Sequence, residues 1–269
     1  MSHPSASSRL SFARPLLLAS ALLCGAAAQA APTGLLNDTG QTQCADANDA
    51  LVACDNATTG NAGTRPRQDG RFGRDVANPT KVGGGAAGFD FTPLANSGAA
   101  IALTGTPAVP SGTPRCIKDN VTNLIWEVKT TTSGLQDTAN TYTWYNSDNA
   151  TNGGNAGTAN GGACSGGSGC DTEKYLADIN ALNLCGFGTT GWRLPTRREL
   201  LSIVHRGLTT GPMLDANYFP DTQSGWYWTS DTYAPIPSRA WIVRFQNGYT
   251  ADRVKSSNSV IVRLVRSGQ

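Results

Sequence analysis

Six cysteines constrain this chain more than any other feature. The sequence holds seven, and Cys24 falls in an apolar leader, which leaves Cys44, Cys54, Cys116, Cys164, Cys170 and Cys185. An even set in an exported chain reads as a disulfide framework. Close spacing points to Cys44–Cys54 and Cys164–Cys170, which leaves Cys116–Cys185 as the third pair. A metal site is the competing reading, and no C-x-x-C pair supports it.

The compartment follows from residues 1–30. Arg9 and Arg14 precede a short apolar run over 16–23, and Ala28-Gln29-Ala30 supplies a small-residue cleavage site before Ala31-Pro32. That pattern is a secretory signal peptide. The run falls far short of the ~20 residues a transmembrane helix needs. No other stretch is apolar enough to span a bilayer, so the expected location is secreted, periplasmic or cell-surface. A lipid-modified Cys24 is the alternative, but Leu22-Leu23 precede it where such sites want a small residue.

With Arg9 and Arg14 set aside, 19 basic residues face 19 acidic ones. Such a balance exerts no general pull on nucleic acid. The distribution is uneven, however: residues 31–186 carry 9 basic and 14 acidic side chains, and residues 187–269 carry 10 and 5. An anionic ligand therefore belongs with the C-terminal third.

Residues 31–112 are rich in Gly, Asn and Thr and hold few apolar runs, and they end in the linker-like Val109-Pro110-Ser111-Gly112. They read as an irregular segment leaning on a main domain over 113–269. In that domain, 116–119 and 124–128 are strand candidates joined by the turn Asn120-Val121-Thr122-Asn123. A polar Gly/Asn/Ser loop fills 146–169. A first helix starts at Asp171 or Thr172, repeats Tyr175, Leu176, Ile179 and Leu182 at helical spacing, and stops at Gly186. A second opens on Thr196-Arg197-Arg198-Glu199, a capping-box spacing, and runs to a Gly207 C-cap. Strand-like runs follow at 226–229, 240–245 and 260–266. Asn247-Gly248 makes a hairpin turn, and Val260, Val262 and Leu264 share a face. Two helices followed by an antiparallel meander is an α+β order.

Catalytic chemistry is hard to assemble. The only histidines are His3 and His205, and His205 sits near a predicted helix end, where the helix dipole accounts for it. Glu127, Glu173 and Glu199 are the only glutamates, and each has a structural explanation: a strand end, a helix start and the capping box. Asp215, Asn217 and Asp221 are candidate calcium ligands, but their spacing matches no EF-hand loop and a polar turn is the favoured reading. Of the tryptophans, Trp126, Trp192 and Trp241 lie in apolar contexts, and at least four of the six read as core. The reading is therefore a non-enzyme with no catalytic residue, metal or cofactor.

Several runs carry a family resemblance. Residues 116–127, Cys-Ile-Lys-Asp-Asn-Val-Thr-Asn-Leu-Ile-Trp-Glu, look like an opening strand pair. Residues 191–200, Gly-Trp-Arg-Leu-Pro-Thr-Arg-Arg-Glu-Leu, look like a signature turn into a helix. Tyr227-Trp228-Thr229-Ser230, Ala240-Trp241-Ile242-Val243-Arg244-Phe245 and Val262-Arg263-Leu264-Val265-Arg266 follow in order. Together, residues 113–269 resemble the C-terminal domain of the Legionella collagen-like adhesin, the Lcl C-terminal family. The resemblance implies a C-type-lectin-like fold and a role in binding sulfated polysaccharide. This chain has no collagen-like Gly-X-Y stretch, which leaves trimerisation and oligomeric state open. The same fold hosts formylglycine-generating oxidases, but those rely on late cysteines and none follows Cys185 here.

Tyr233, Arg239, Arg244, Tyr249, Arg253 and Lys255 lie in or beside polar turns over 230–259 and are the candidate ligand-binding residues. Arginine suits sulfate or carboxylate because its fork presents paired donors, although each of these residues also reads as part of a solvated basic face. The expected partner is a glycan or anionic surface polymer. The alternatives are a protein ligand, as for a variable receptor of a diversity-generating element, and a structural part of an envelope or appendage assembly.

Overall fold

Short runs of buried, strand-forming residues build two larger antiparallel sheets, and both contribute to each of two buried hydrophobic clusters. The computed structural model of the protein describes residues 35–45, 51–54, 68–77 and 80–268. The predicted signal, residues 1–30, and Cys24 lie outside the described residues. Among the described residues, no helix is long and apolar enough to cross a membrane.

The first elements are small. Strands β1 (Gln43–Ala45) and β2 (Leu51–Ala53) pair antiparallel, and Cys44–Cys54 ties them together. One helical turn, α1 (Asp69–Phe72), packs beside β1. Strand β3 (Phe91–Leu94) lies within the predicted irregular segment, yet it joins the main sheet at an edge. Phe89 and Phe91 then enter the same core as Ile117, Trp126, Tyr227 and Val265. Strands β4 (Leu103–Thr104) and β5 (Val109–Pro110) form a small hairpin within residues 101–112.

The main sheet contains β6 (Cys116–Asp119) and β7 (Leu124–Glu127), the pair expected from the sequence, with Asn123 in the left-handed region between them. Helix α2 (Thr172–Ala181) starts at Asp171, whose side chain accepts from the Lys174 amide. It ends earlier than the sequence suggests. Asn183 turns left-handed and a 3-10 turn, Leu184–Gly186, follows, carrying Cys185 to its disulfide with Cys116. Cys164–Cys170 closes the third bridge, so all three pairings suggested by spacing are present.

Helix α3 (Arg197–Ser202) has the predicted capping box between Thr196 and Glu199, but it stops well before Gly207. The chain leaves the helix because other partners take its amides. The His205 N–H donates to the Met213 carbonyl at 2.8 Å and the Arg206 N–H to the Thr39 carbonyl at 2.7 Å.

Strands β8 (Trp226–Thr232), β9 (Arg239–Arg244) and β10 (Tyr249–Val254) form the second sheet in the order β10-β9-β8. Gly248, at φ +67°, closes the β9–β10 hairpin as the Asn-Gly signal predicts. Strand β11 (Val265–Ser267) completes the first sheet beside β7. Residues 260–266 are buried throughout rather than alternating between core and solvent, and they include Arg263 and Arg266. The protein is therefore mixed α and β, with few helices and several antiparallel sheets.

Beneath β7 lies a buried polar cluster. Glu127 accepts from Tyr175 Oη, from Lys129 Nζ at 3.3 Å and from the Leu264 N–H at 2.9 Å. Arg263 donates to the Glu127 carbonyl at 2.7 Å and to Thr222 Oγ1 at 2.8 Å. A carboxylate in this setting is saturated by structural partners, which is how buried charge is tolerated.

Candidate functional site

The register of the second sheet decides which predicted ligand-binding residues can act together. Directly paired residues in an antiparallel sheet point to the same face, and neighbours along a strand alternate. Arg244 stands opposite both Trp226 on β8 and Tyr249 on β10, so these three form a row across one face. Arg253 lies on that face too, four residues from Tyr249 along β10, roughly 13 Å at 3.3 Å per residue. Arg239 has the other parity and lies with Trp241 on the opposite face, opposite Val254 and Asp252 respectively. Of the six candidates, Arg244, Tyr249 and Arg253 therefore share one face and Arg239 lies on the other.

On the first face, the Arg244 guanidinium lies 5.5 Å from the centre of the Trp226 ring, and the Tyr249 ring meets Trp226 edge-on at 6.3 Å. Tyr249 is 62% exposed. Among the described residues, neither Arg244 nor Arg253 has a carboxylate partner, and Arg244 Nε is buried with no hydrogen-bond acceptor. Arg244 lines a cleft of about 590 Å³ together with Thr209, Thr210, Ser224, Gln246 and Asn247, hydroxyls and amides without a single acid. An unpaired guanidinium walled by neutral donors is suited to sulfate or carboxylate, which accept its paired N–H groups.

The sequence reading missed Arg206, whose guanidinium packs against Gly248 at the turn that presents Tyr249. A Cβ placed on Gly248 would come within 3.1 Å of Arg206 Nη1. No local pattern marks Arg206, because its place depends on the early end of α3.

The opposite face is a different kind of surface. Arg239 pairs with Asp252, which neutralises it. Tyr233 meets Trp241 edge-on at 5.1 Å, and Arg197 lies 4.1 Å over the Trp241 ring. Trp241 is thus half-buried under Arg197 rather than in the apolar interior. The four fully buried tryptophans are Trp126, Trp144, Trp192 and Trp228.

Lys255 departs from the surface position expected of it. It is 1% exposed, and its Nζ donates to the Asn152 carbonyl at 2.9 Å, the Asn155 carbonyl at 2.6 Å and Thr232 Oγ1 at 3.0 Å. Arg263 and Arg266 are buried as well. Part of the basic excess of the C-terminal third is therefore spent inside the protein.

The remaining candidates have local structural partners. His205 packs on Phe89 at 5.6 Å, its Nδ1 accepts from the Gly207 N–H at 3.2 Å, and burial lowers its pKa. Packing, and not a helix end, explains this residue. Asp215 accepts from the Ala86 and Asn217 amides at 2.9 and 3.1 Å, and Asn217 and Asp221 are exposed. Among the described residues, no three His, Cys, Asp or Glu side chains gather into a metal-sized cluster. Glu199 receives hydrogen bonds from Arg193 at 2.8 Å and from the Thr196 amide at 2.8 Å. Burial pushes its pKa up, but the bonds from Arg193 and Thr196 outweigh this and hold it below the ordinary value.

No curated protein and no solved structure matches the chain. The family model of the Lcl C-terminal domain matches residues 115–266, a span that runs from the start of β6 into β11 and includes the whole second sheet. The chain belongs to the Lcl C-terminal domain family.

Proposed function

We propose that this protein is a secreted or surface-exposed, non-catalytic binding module with a C-type-lectin-like fold, and that it holds a sulfated or otherwise anionic polysaccharide on the face that carries Arg244. The observation that supports this most is Arg244 itself, a guanidinium with no carboxylate partner among the described residues, beside a cleft lined by no acid. A free cation beside Trp226 and Tyr249 offers a repeating sugar both a charge partner and ring faces to lie on. Arg253 extends the same face, so one polymer chain could meet two cations in succession. No step of this reading requires a metal or a cofactor.

Titration of the full chain with heparin, and with the same polymer after chemical desulfation, tests it. Binding is expected for the sulfated chain, weakening as salt rises because exposed charges are screened within about 8 Å at physiological ionic strength. Equal binding of both polymers, or of neither, contradicts the reading.

A further inference from the structure

A second cleft lies away from the Arg244 cleft, and its chemistry is opposite. It has a volume of about 540 Å³ and is bounded by the start of the 144–151 loop, the first turns of α2, the turn into α3 and Ser230 of β8. That size lies in the usual range for small-molecule sites, which pair apolar walls with a few convergent polar groups.

The walls follow that pattern. Trp144, Leu176 and Leu194 supply the apolar surface. The frame is fixed, since Thr172 Oγ1 accepts from the Tyr145 N–H at 2.9 Å and donates to the Tyr145 carbonyl at 2.7 Å. Ser230 is held through its N–H, which donates to the Pro195 carbonyl at 2.8 Å. One carboxylate oxygen of Glu173 accepts from the Ser147 N–H at 2.6 Å. The other Glu173 oxygen, Tyr145 Oη and Ser230 Oγ make no hydrogen bond among the described residues. Three residues that line the cleft, Glu173, Tyr145 and Ser230, therefore carry an acceptor and two hydroxyls with no partner among the described residues.

The charge balance decides what fits. Arg193 is the only cation on the wall, and Glu199 occupies it at 2.8 and 2.5 Å. Asp148 and Glu173 remain as rim carboxylates, which disfavour an anion. A cation would lose its water against apolar walls, a cost that rim carboxylates facing solvent do little to offset. A ring with apolar C–H faces and several hydroxyls suits both the walls and the free groups.

We infer that this cleft is a second binding site, one for an uncharged saccharide, held by Tyr145, Glu173 and Ser230 over the Leu176 and Leu194 wall. It is separate from the anion site in position, charge and expected salt response. The module would then read two chemical features of one glycan, or of two.

Calorimetric titration of the full chain with lactose, maltose, cellobiose and N,N′-diacetylchitobiose tests the inference. At least one of these is expected to bind, unaffected by roughly half-molar salt, since no charge pair contributes. Tyr145→Phe, Glu173→Gln and Ser230→Ala should each weaken that binding by roughly five-fold, the loss of one hydrogen bond. The amide side chain introduced by E173Q retains an acceptor for the Ser147 N–H, so the loop stays closed in that variant. Arg244→Ala should leave this binding unchanged, which separates the outcome from that of the anion site. Failure of all four sugars to bind, or binding that survives all three substitutions, overturns the inference.

Discussion

The ammonium of Lys255 lies 3.8 Å from the centre of the Trp144 ring, and its three hydrogen bonds all go to uncharged oxygens. Two of those oxygens are carbonyls of Asn152 and Asn155, about a hundred positions earlier in the chain. The residue after β10 thus fastens the 144–157 loop to the second sheet. The same loop forms one wall of the apolar cleft, so a single buried side chain links the sheet to that cleft.

Replacing Lys255 with Met removes the donor and strands the Asn155 carbonyl, while the Asn152 carbonyl keeps its bond from Thr232 Oγ1. The expected loss of stability is about 1–3 kcal/mol, the cost of leaving a buried acceptor unsatisfied, measured by urea denaturation at neutral pH. Burial lowers the folded amine to about 8 from an ordinary 10.5. Between those values the unfolded chain holds a proton that the folded chain has released. Stability of the parent relative to K255M should therefore rise with pH across that window. A fall across the same window contradicts the assignment.

Glu127→Gln leaves the Lys129 ammonium buried without a counter-charge. Breaking a buried pair from one side typically costs about 3–5 kcal/mol, and a loss of that size should appear as a lower denaturation midpoint. A change below about 1 kcal/mol would mean that Lys129 is neutral in the folded protein, because only a charged partner carries that penalty.

The disulfides should differ in worth according to the loops they close. Cys116–Cys185 spans 69 positions and Cys164–Cys170 spans 6. Chain-entropy scaling makes the first worth about 4 kcal/mol and the second about 2. Denaturation of the two double-alanine variants checks the order, and the reverse order contradicts it.

Much of this architecture was legible because it is local. The Thr196–Glu199 capping box, the Asn-Gly turn and the β6–β7 pair each depend on residues within a few positions of one another. The division of Arg239 from Arg244 was also present in the sequence, since five positions along one strand reverse the face. Lys255 was not legible, because its burial depends on a loop about a hundred residues away. Residues 260–266 misled for a related reason. Alternation predicts one dry face, but the strands and helix turns around this segment cover both, and they supply carbonyls for Arg263 and Arg266. The early end of α3, and with it the position of Arg206, follows from docking of Thr39, which no helix signal encodes.

If an anionic polymer binds on the face of Arg244, as proposed, three single variants should differ in heparin affinity at fixed salt. Arg244→Ala and Arg253→Ala should each weaken binding by roughly five- to ten-fold, the loss of a charge-assisted contact. Arg239→Ala should stay within about two-fold, since Asp252 already neutralises that side chain, and exposed pairs contribute little. An Arg239→Ala loss equal to that of Arg244→Ala, or no loss in any of the three, would contradict the account.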